Sequence, residues 1–199
     1  MKSLKLFSIV VLILNASLVF STSEPKKSLT GLKVGDKAPD FQAMDEFGKL
    51  WKSTDVVGKA YLVVYFYPAA MTGGCTKQAC AFRDDKQKLA DAGARVVGIS
   101  GDEVKNLKYF KQAHNLNFTL LSDADGSIAK LFGVPTRKGG SIKRTIDGKE
   151  VTLIRDITAS RWTFIIDKAG KIVFKETKVN AANDSKAVLG FLKKQKTKE

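Results

Sequence analysis

Apolar residues follow two rhythms along this chain, and the changes between them mark the elements. Ala60–Tyr67 (AYLVVYFY) is continuously apolar and rich in β-branched and aromatic types, which predicts a buried central strand ended by Pro68. Arg95–Ser100, Phe118–Leu121, Trp162–Ile166 and Ile172–Glu176 are further strand candidates. Helical spacing appears between them. Cys75, Ala79, Phe82, Leu89 and Ala92 form a rough stripe that predicts a helix over Cys75–Ala92, stopped by Gly93. Asp102 is placed to cap a helix over Glu103–His114, with Val104, Leu107 and Phe110 on one face. A short helix is expected over Ser127–Phe132. Asp184 is placed to cap a last one, with Val188, Leu189, Phe191 and Leu192 inward.

The intervening segments supply the turns. Val34–Phe41 is an irregular entry, and Phe41–Lys52 suggests a hairpin turning near Glu46-Phe47-Gly48. Gly133–Ser160 is the least regular stretch. Gly139-Gly140 marks a turn there, and Asp147-Gly148 a hairpin between Lys143–Ile146 and Glu150–Ile154. Strands alternating with helices, then a hairpin and a final helix, predict an α/β fold: a central mixed β-sheet flanked by helices. Periodicity alone does not choose among the α/β sandwiches.

Two regions precede this domain. Lys2 and Lys5 lead into the apolar run Leu6–Phe20, and the small residues Ser21, Thr22 and Ser23 follow. That order predicts a signal peptide over 1–23. The run is shorter than the roughly 20 residues of a spanning helix, so cleavage is favoured over a retained anchor. Residues 24–33 are expected to be a linker, and 34–199 a single domain. The chain is therefore expected to be exported, to a periplasm, cell envelope or exterior, with no stable membrane insertion after cleavage.

Charge changes little in this picture. Setting aside Lys2 and Lys5 lowers the formal charge from +14 to +12. The lysines are scattered, and most aromatics sit in apolar runs, so a solvated basic surface is expected rather than a nucleic-acid partner. His114 has no second His, Cys or acid at metal-ligand spacing and is expected to end a helix, where it favours the dipole. Asn117-Phe118-Thr119 and Asn183-Asp184-Ser185 match the glycosylation sequon.

The chemistry lies with the two cysteines, Cys75 and Cys80. A disulfide between them would close a very small loop and stabilise little, so the spacing favours redox chemistry over a structural staple. In Pro68-Ala69-Ala70-Met71-Thr72-Gly73-Gly74-Cys75, a strand ends, a small-residue loop follows and a helix begins. Cys75 then falls in the first helical turn, where free N–H groups and the helix dipole favour a thiolate, the reactive form. Gly73 and Gly74 let the backbone approach an incoming oxygen atom, and the Thr72 hydroxyl is placed to donate to sulfur or to accept a peroxide proton.

This block resembles the peroxiredoxin signature Pro-x-x-x-Thr-x-x-Cys, matched by Pro68, Thr72 and Cys75. A cysteine five residues on resembles the bacterioferritin-comigratory, or Q-type, subgroup. Val97–Ser100, Leu121-Ser122-Asp123 and Arg161–Asp167 extend the likeness to roughly residues 33–195. The resemblance implies a thioredoxin-like fold and a thiol-specific peroxidase. It implies that Cys75 is peroxidatic and Cys80 resolving, through a Cys75–Cys80 disulfide. It further implies that Arg161 orients the peroxide against the thiolate, Pro68 shields the sulfur and Thr72 positions the peroxide oxygens. The implied partners are a hydroperoxide and a thioredoxin-like dithiol reductant, with no metal or organic cofactor. A monomer or weak dimer is expected. Gln78 departs from the Glu of many relatives, and Ala70-Met71 replaces more polar residues; both bear on donor recognition and pocket polarity. The alternatives are a thioredoxin-fold thiol–disulfide oxidoreductase, which would want Cys-x-x-Cys, and a secreted binding domain with an inert disulfide.

Overall fold

A computed structural model describes residues 31–146 and 148–197. The expected signal peptide, residues 24–30 of the expected linker, and Asp147 of the expected hairpin turn lie outside the described residues.

Seven strands form the main sheet in the order β2-β1-β5-β4-β3-β8-β9. They are β1 (Gln42–Asp45), β2 (Leu50–Lys52), β3 (Tyr61–Phe66), β4 (Ala94–Ser100), β5 (Thr119–Ser122), β8 (Trp162–Ile166) and β9 (Ile172–Glu176). β3, β4 and β5 run parallel; β1 and β8 pair antiparallel to this trio, and β2 and β9 pair antiparallel to β1 and β8. The sheet is mixed and flanked by helices, as the sequence predicts.

β3 is central because both of its faces are apolar. Side chains alternate along a strand, so Val63 and Tyr65, followed by Tyr67, enter one core with Phe82, Leu89, Phe110, Val188 and Leu192. Leu62, Val64 and Phe66 enter the other with Phe41, Phe132, Phe164 and Ile166. The first core lies under α1 (Gly73–Asp84), α2 (Lys86–Asp91), α3 (Val104–Ala113) and α5 (Asp184–Lys196). The second lies under α4 (Ser127–Phe132) and the entry segment, which touches the sheet at Lys37 opposite Lys171. None of the described helices is long and apolar enough to cross a membrane.

Four expectations are corrected. The helix predicted over Cys75–Ala92 starts at Gly73 and breaks at Asp85, giving α1 and α2. At the break, Asp85 accepts bonds from Ser185 of α5 and from Lys88. Asp102 and Asp184 do not cap helices: Glu103 and Asn183 hold those positions, and both aspartates are buried. Gly133–Ser160 is largely regular. β6 (Thr136–Ile146) and β7 (Lys149–Ala159) pair in register as a long hairpin. Gly139 lies inside that ladder, where a Cβ would sit 2.1 Å from the Arg155 carbonyl oxygen. Finally, burial and the neighbouring Arg83 disfavour the charged form of His114. The cation at that helix end is Arg83, which donates to the His114 carbonyl at 2.6 Å. Of the two sequons, the second is closed, because Ser185 is buried and bonded to Asp85.

Candidate active site

The C-terminal end of β3 delivers the chain into a tight loop and then into α1. Tyr67 still bonds to β4, its N–H donating to the Ile99 carbonyl at 3.0 Å. Pro68 follows, half-buried, in the loop. The next residues are held one by one. The Ala69 carbonyl accepts from the Thr72 hydroxyl at 2.9 Å. The Ala70 N–H donates to Asp102 Oδ2 at 2.7 Å, and the Met71 carbonyl accepts from Arg144 Nε of β6 at 2.9 Å. Met71 has a φ of 60°, in the left-handed region that costs a non-glycine residue about 1 kcal/mol. The bonds on either side of Met71 hold the chain in that shape.

Thr72 occupies the N-cap position of α1, but its side chain makes no capping bond. Its hydroxyl proton is spent on Ala69, so the oxygen faces any further partner as an acceptor. Of the two roles expected for Thr72, the structure favours accepting a peroxide proton. The Thr76 N–H bonds to the Thr72 carbonyl at 2.8 Å as the ladder begins, so the N–H groups of Gly73, Gly74 and Cys75 precede it.

Cys75 is 2% exposed, and both cysteines are free thiols. Arg161 Nη2 donates to Cys75 Sγ at 3.3 Å. Arg161 stands just before β8, which is paired with β3, so the sheet itself brings the guanidinium across to the start of α1. Gly74 makes room for it: a Cβ there would lie 3.3 Å from Arg161 Nη2, so the guanidinium would have to give by a few tenths of an ångström. Gly73 faces open space, consistent with access for a small substrate. A buried sulfur beside a fixed cation and a helix N-terminus can carry negative charge and stabilise more of it as it develops.

Behind this contact lies a buried polar chain that the sequence does not announce. Arg161 Nη1 donates to Gln78 Oε1, and Gln78 Nε2 donates to Asp184 Oδ2 at 2.7 Å. Thr163 Oγ1 donates to the same carboxylate oxygen at 2.7 Å. Gln78 sits three residues after Cys75, one helical turn along the same face, which is the one local clue. Tyr65 completes the floor. Its ring stacks on Phe82 at 4.8 Å and fits only because residue 98 is glycine, where a Cβ would meet it at 2.6 Å. Burial, and then the neighbouring Cys75, push the Tyr65 hydroxyl well above the usual phenol range.

Asp102 anchors the other side. It is fully buried, and accepts from Ser100 Oγ at 3.0 Å as well as from Ala70. Burial raises its carboxyl above the ordinary range, opposed by those bonds and by the charge of Arg155. The structure thus brings Thr72, Cys75 and Arg161 together around α1, with Pro68 in the loop before it. Cys80 is on the same helix, half-buried, more than a turn further on.

The chain is similar to several known proteins. The AhpC/TSA family matches residues 34–175. Peroxiredoxin Bcp of Escherichia coli K12 is 43% identical over 164 residues, covering 81% of this chain and 96% of its own. Peroxiredoxin Bcp of Bacillus subtilis 168 is 37% identical over 162 residues, covering 81% and 96%. Among solved structures, peroxidoxin BcpB of Mycobacterium tuberculosis superposes with a TM-score of 0.68 at 34% identity, covering 82% of this chain and 97% of that one. Xanthomonas campestris peroxiredoxin Q gives 0.64 at 29%, covering 77% and 90%.

Proposed function

Because the chain belongs to the AhpC/TSA family, among the peroxiredoxins of Bcp and Q type, we propose that Cys75 is its peroxidatic nucleophile and Cys80 its resolving cysteine. The chain is a thioredoxin-fold thiol peroxidase, and its substrate is a hydroperoxide. The Cys75 thiolate attacks the terminal peroxide oxygen. The S–O bond forms as the O–O bond breaks, the leaving oxygen takes a proton, and water or an alcohol departs. Arg161 and the N–H groups at the start of α1 stabilise the charge that develops on the oxygens. Thr72 accepts a hydrogen bond from the bound peroxide, and Pro68 keeps bulk water from the sulfur. Cys80 then attacks the sulfenic sulfur, forming the disulfide and releasing water. A thioredoxin-type dithiol reduces that disulfide by two exchange steps.

The observation that carries this reading is the Arg161–Cys75 contact at 3.3 Å, made inside the Pro68–Thr72–Cys75 frame. Stopped-flow mixing of the reduced chain with hydrogen peroxide tests it. Rapid oxidation is expected of the wild type and none of Cys75→Ser; equal rates would remove Cys75 from the reaction. Organic hydroperoxides belong in the same assay, since a related Xanthomonas campestris bacterioferritin comigratory protein is described by its alkyl peroxide reduction activity.

Closing the disulfide requires a change of shape. Five residues along an intact helix set the Cα atoms about 8 to 9 Å apart and turn them about 140° around the axis. A disulfide needs roughly 7 Å or less and converging Cβ vectors. The first turns of α1 therefore unwind after oxidation in this scheme.

Export is proposed from sequence alone, from Lys2 and Lys5, the apolar run 6–20 and Ser21–Ser23. N-terminal sequencing of the native protein is expected to give a start between about Ser21 and Lys26; a start at Met1 in a membrane fraction would mean an anchor. A monomer or weak dimer is proposed because one chain supplies Thr72, Cys75, Cys80 and Arg161; sedimentation of the reduced protein tests it.

A further inference from the structure

The side chains behind Arg161 have no part in the steps above, yet they are built with more constraint than a packing contact needs. Asp184 begins α5 and is 2% exposed. Its Oδ2 accepts two bonds, from Gln78 and from Thr163, and its Oδ1 is buried without a hydrogen-bond partner in the structure. Burial raises its carboxyl above the ordinary range, against the bonds from Gln78 and Thr163 and the charge of Arg161; Glu176 adds to the rise. Tyr65 packs beneath the same group, its hydroxyl also buried without a partner.

Arg161 settles which way the Gln78 amide points. A guanidinium only donates hydrogen bonds, so the amide oxygen faces Arg161 and the Gln78 NH2 faces Asp184. Turned over, the amide would set an oxygen against the carboxylate and an NH2 against the guanidinium, leaving buried groups unpaired at both ends. Arg161 thus meets a correctly aimed acceptor that carries no net charge. A carboxylate at position 78 would align Arg161 equally well, but it would pair with the guanidinium and offset its field at the sulfur. It would also face a second buried carboxylate.

We propose that Gln78 and Asp184 form a positioning arm that aims Arg161 at the Cys75 sulfur while holding the arm's negative charge one hydrogen bond away from the guanidinium. This rests on the assignment of Cys75 and Arg161 to the reaction. The distinctive feature is charge placement, which separates the arm from mere structural support.

A charge-relocation experiment on the full chain tests it. In a Cys80→Ser background, where Cys75 is the sole thiol, Gln78→Glu/Asp184→Asn keeps the ladder. The amide introduced at position 184 donates to the carboxylate introduced at position 78 and accepts from Thr163, and that carboxylate accepts from Arg161. The net charge is unchanged, but the carboxylate now sits on the guanidinium. Thermal unfolding is expected to stay near that of the parent. The midpoint of the pH–rate profile for iodoacetamide alkylation is expected to move alkaline by about one pH unit, and the peroxide rate at neutral pH to fall severalfold. Gln78→Glu alone, should the double variant not fold, shares a proton with Asp184 across the bond between them and is expected to move the midpoint in the same direction by less. An unmoved profile and peroxide rate in a folded variant would overturn the proposal. Failure of the underlying assignment would look different: Arg161→Ala itself would leave peroxide reactivity unchanged.

Discussion

Helix α1 carries two cysteines in unlike settings. Around Cys75 the surroundings are fixed from several directions: Arg161 from the start of β8, Asp102 from the end of β4 and Arg144 from the β6–β7 hairpin. Cys80 lies half-buried near the middle of the same helix. A thiolate that must meet a small peroxide in one orientation gains from a rigid surround, because preorganised donors need no rearrangement during reaction. A resolving thiol has to travel, so a fixed surround would be a handicap. The same residue type, five positions apart, is thus suited to two tasks by what surrounds it.

The largest effect expected breaks the comparison outright. Cys75→Ser is expected to abolish peroxidase turnover, whereas Cys80→Ser reacts once with peroxide and retains a sulfenic acid. Mass spectrometry after one equivalent of hydrogen peroxide distinguishes the two. A Cys80→Ser protein inert in this first step would reverse the roles.

Removing the fixed surround alone is expected to cost less. Arg161→Ala deletes the cation at the sulfur and is expected to slow the peroxide reaction about a hundredfold, as losing one well-placed donor does elsewhere. Alkylation of Cys75 at neutral pH is expected to slow less, because the alkylating agent has no peroxide oxygens for the guanidinium to stabilise. Equal slowing in both assays would mean that Arg161 acts on the sulfur and not on the peroxide.

The mobile side of the comparison is read by hydrogen exchange. Gln78 lies between the two cysteines, so its bond to Asp184 has to release before the disulfide closes. Amides over residues 73–85 are expected to exchange at least tenfold faster in the disulfide form than in the dithiol form, roughly the loss of 1.4 kcal/mol of local stability. Equal protection would sink the unwinding step. Gln78→Ala, lacking the latch, is expected to form the disulfide faster and to be overoxidised less at high peroxide.

Much of this is legible in the sequence, and what is not legible has a common cause. β3 follows from an unbroken apolar run and β8 and β9 from shorter, largely apolar ones, while Cys75 comes from a motif recognised at its spacing and Arg161 from the stretch Arg161–Asp167. Asp102 and Asp184 precede helical patterns, where an aspartate ordinarily caps. Their side chains turn instead into the core, toward Ala70 and toward Gln78, and nothing local reports that. The Gln78–Asp184 bond spans 106 positions. The full length of the β6–β7 hairpin is hidden because Gly139-Gly140 looks like a turn, when Gly139 is there to let the Arg155 carbonyl approach. In each case a residue with an ordinary local meaning is used for a distant contact.

The smallest effect expected concerns how firmly the Cys75 end is held as pH changes. Asp102 is fully buried and its carboxyl is raised above the ordinary carboxylate position, first by burial. A carboxyl raised in the folded state holds its proton more tightly there than in the unfolded chain. Its contribution to stability is then complete below the unfolded pKa and is lost as pH rises through the folded one. Asp102→Asn cannot titrate, and its amide oxygen is still able to accept from Ala70. The stability of wild type relative to this variant, measured by urea unfolding, is therefore expected to fall as pH rises above the ordinary carboxylate range. The fall is about 1.4 kcal/mol for each pH unit by which the carboxyl titrates above its ordinary position. Peroxide reactivity of Cys75 in the variant is expected to stay within about threefold of wild type at pH 7, since the Ala70 contact survives, a change worth roughly 0.7 kcal/mol at most. A gap that widened in favour of wild type with rising pH would mean that Ala70, Ser100 and Arg155 together outweigh burial, and that the ionised carboxylate is itself what fastens the loop before Cys75.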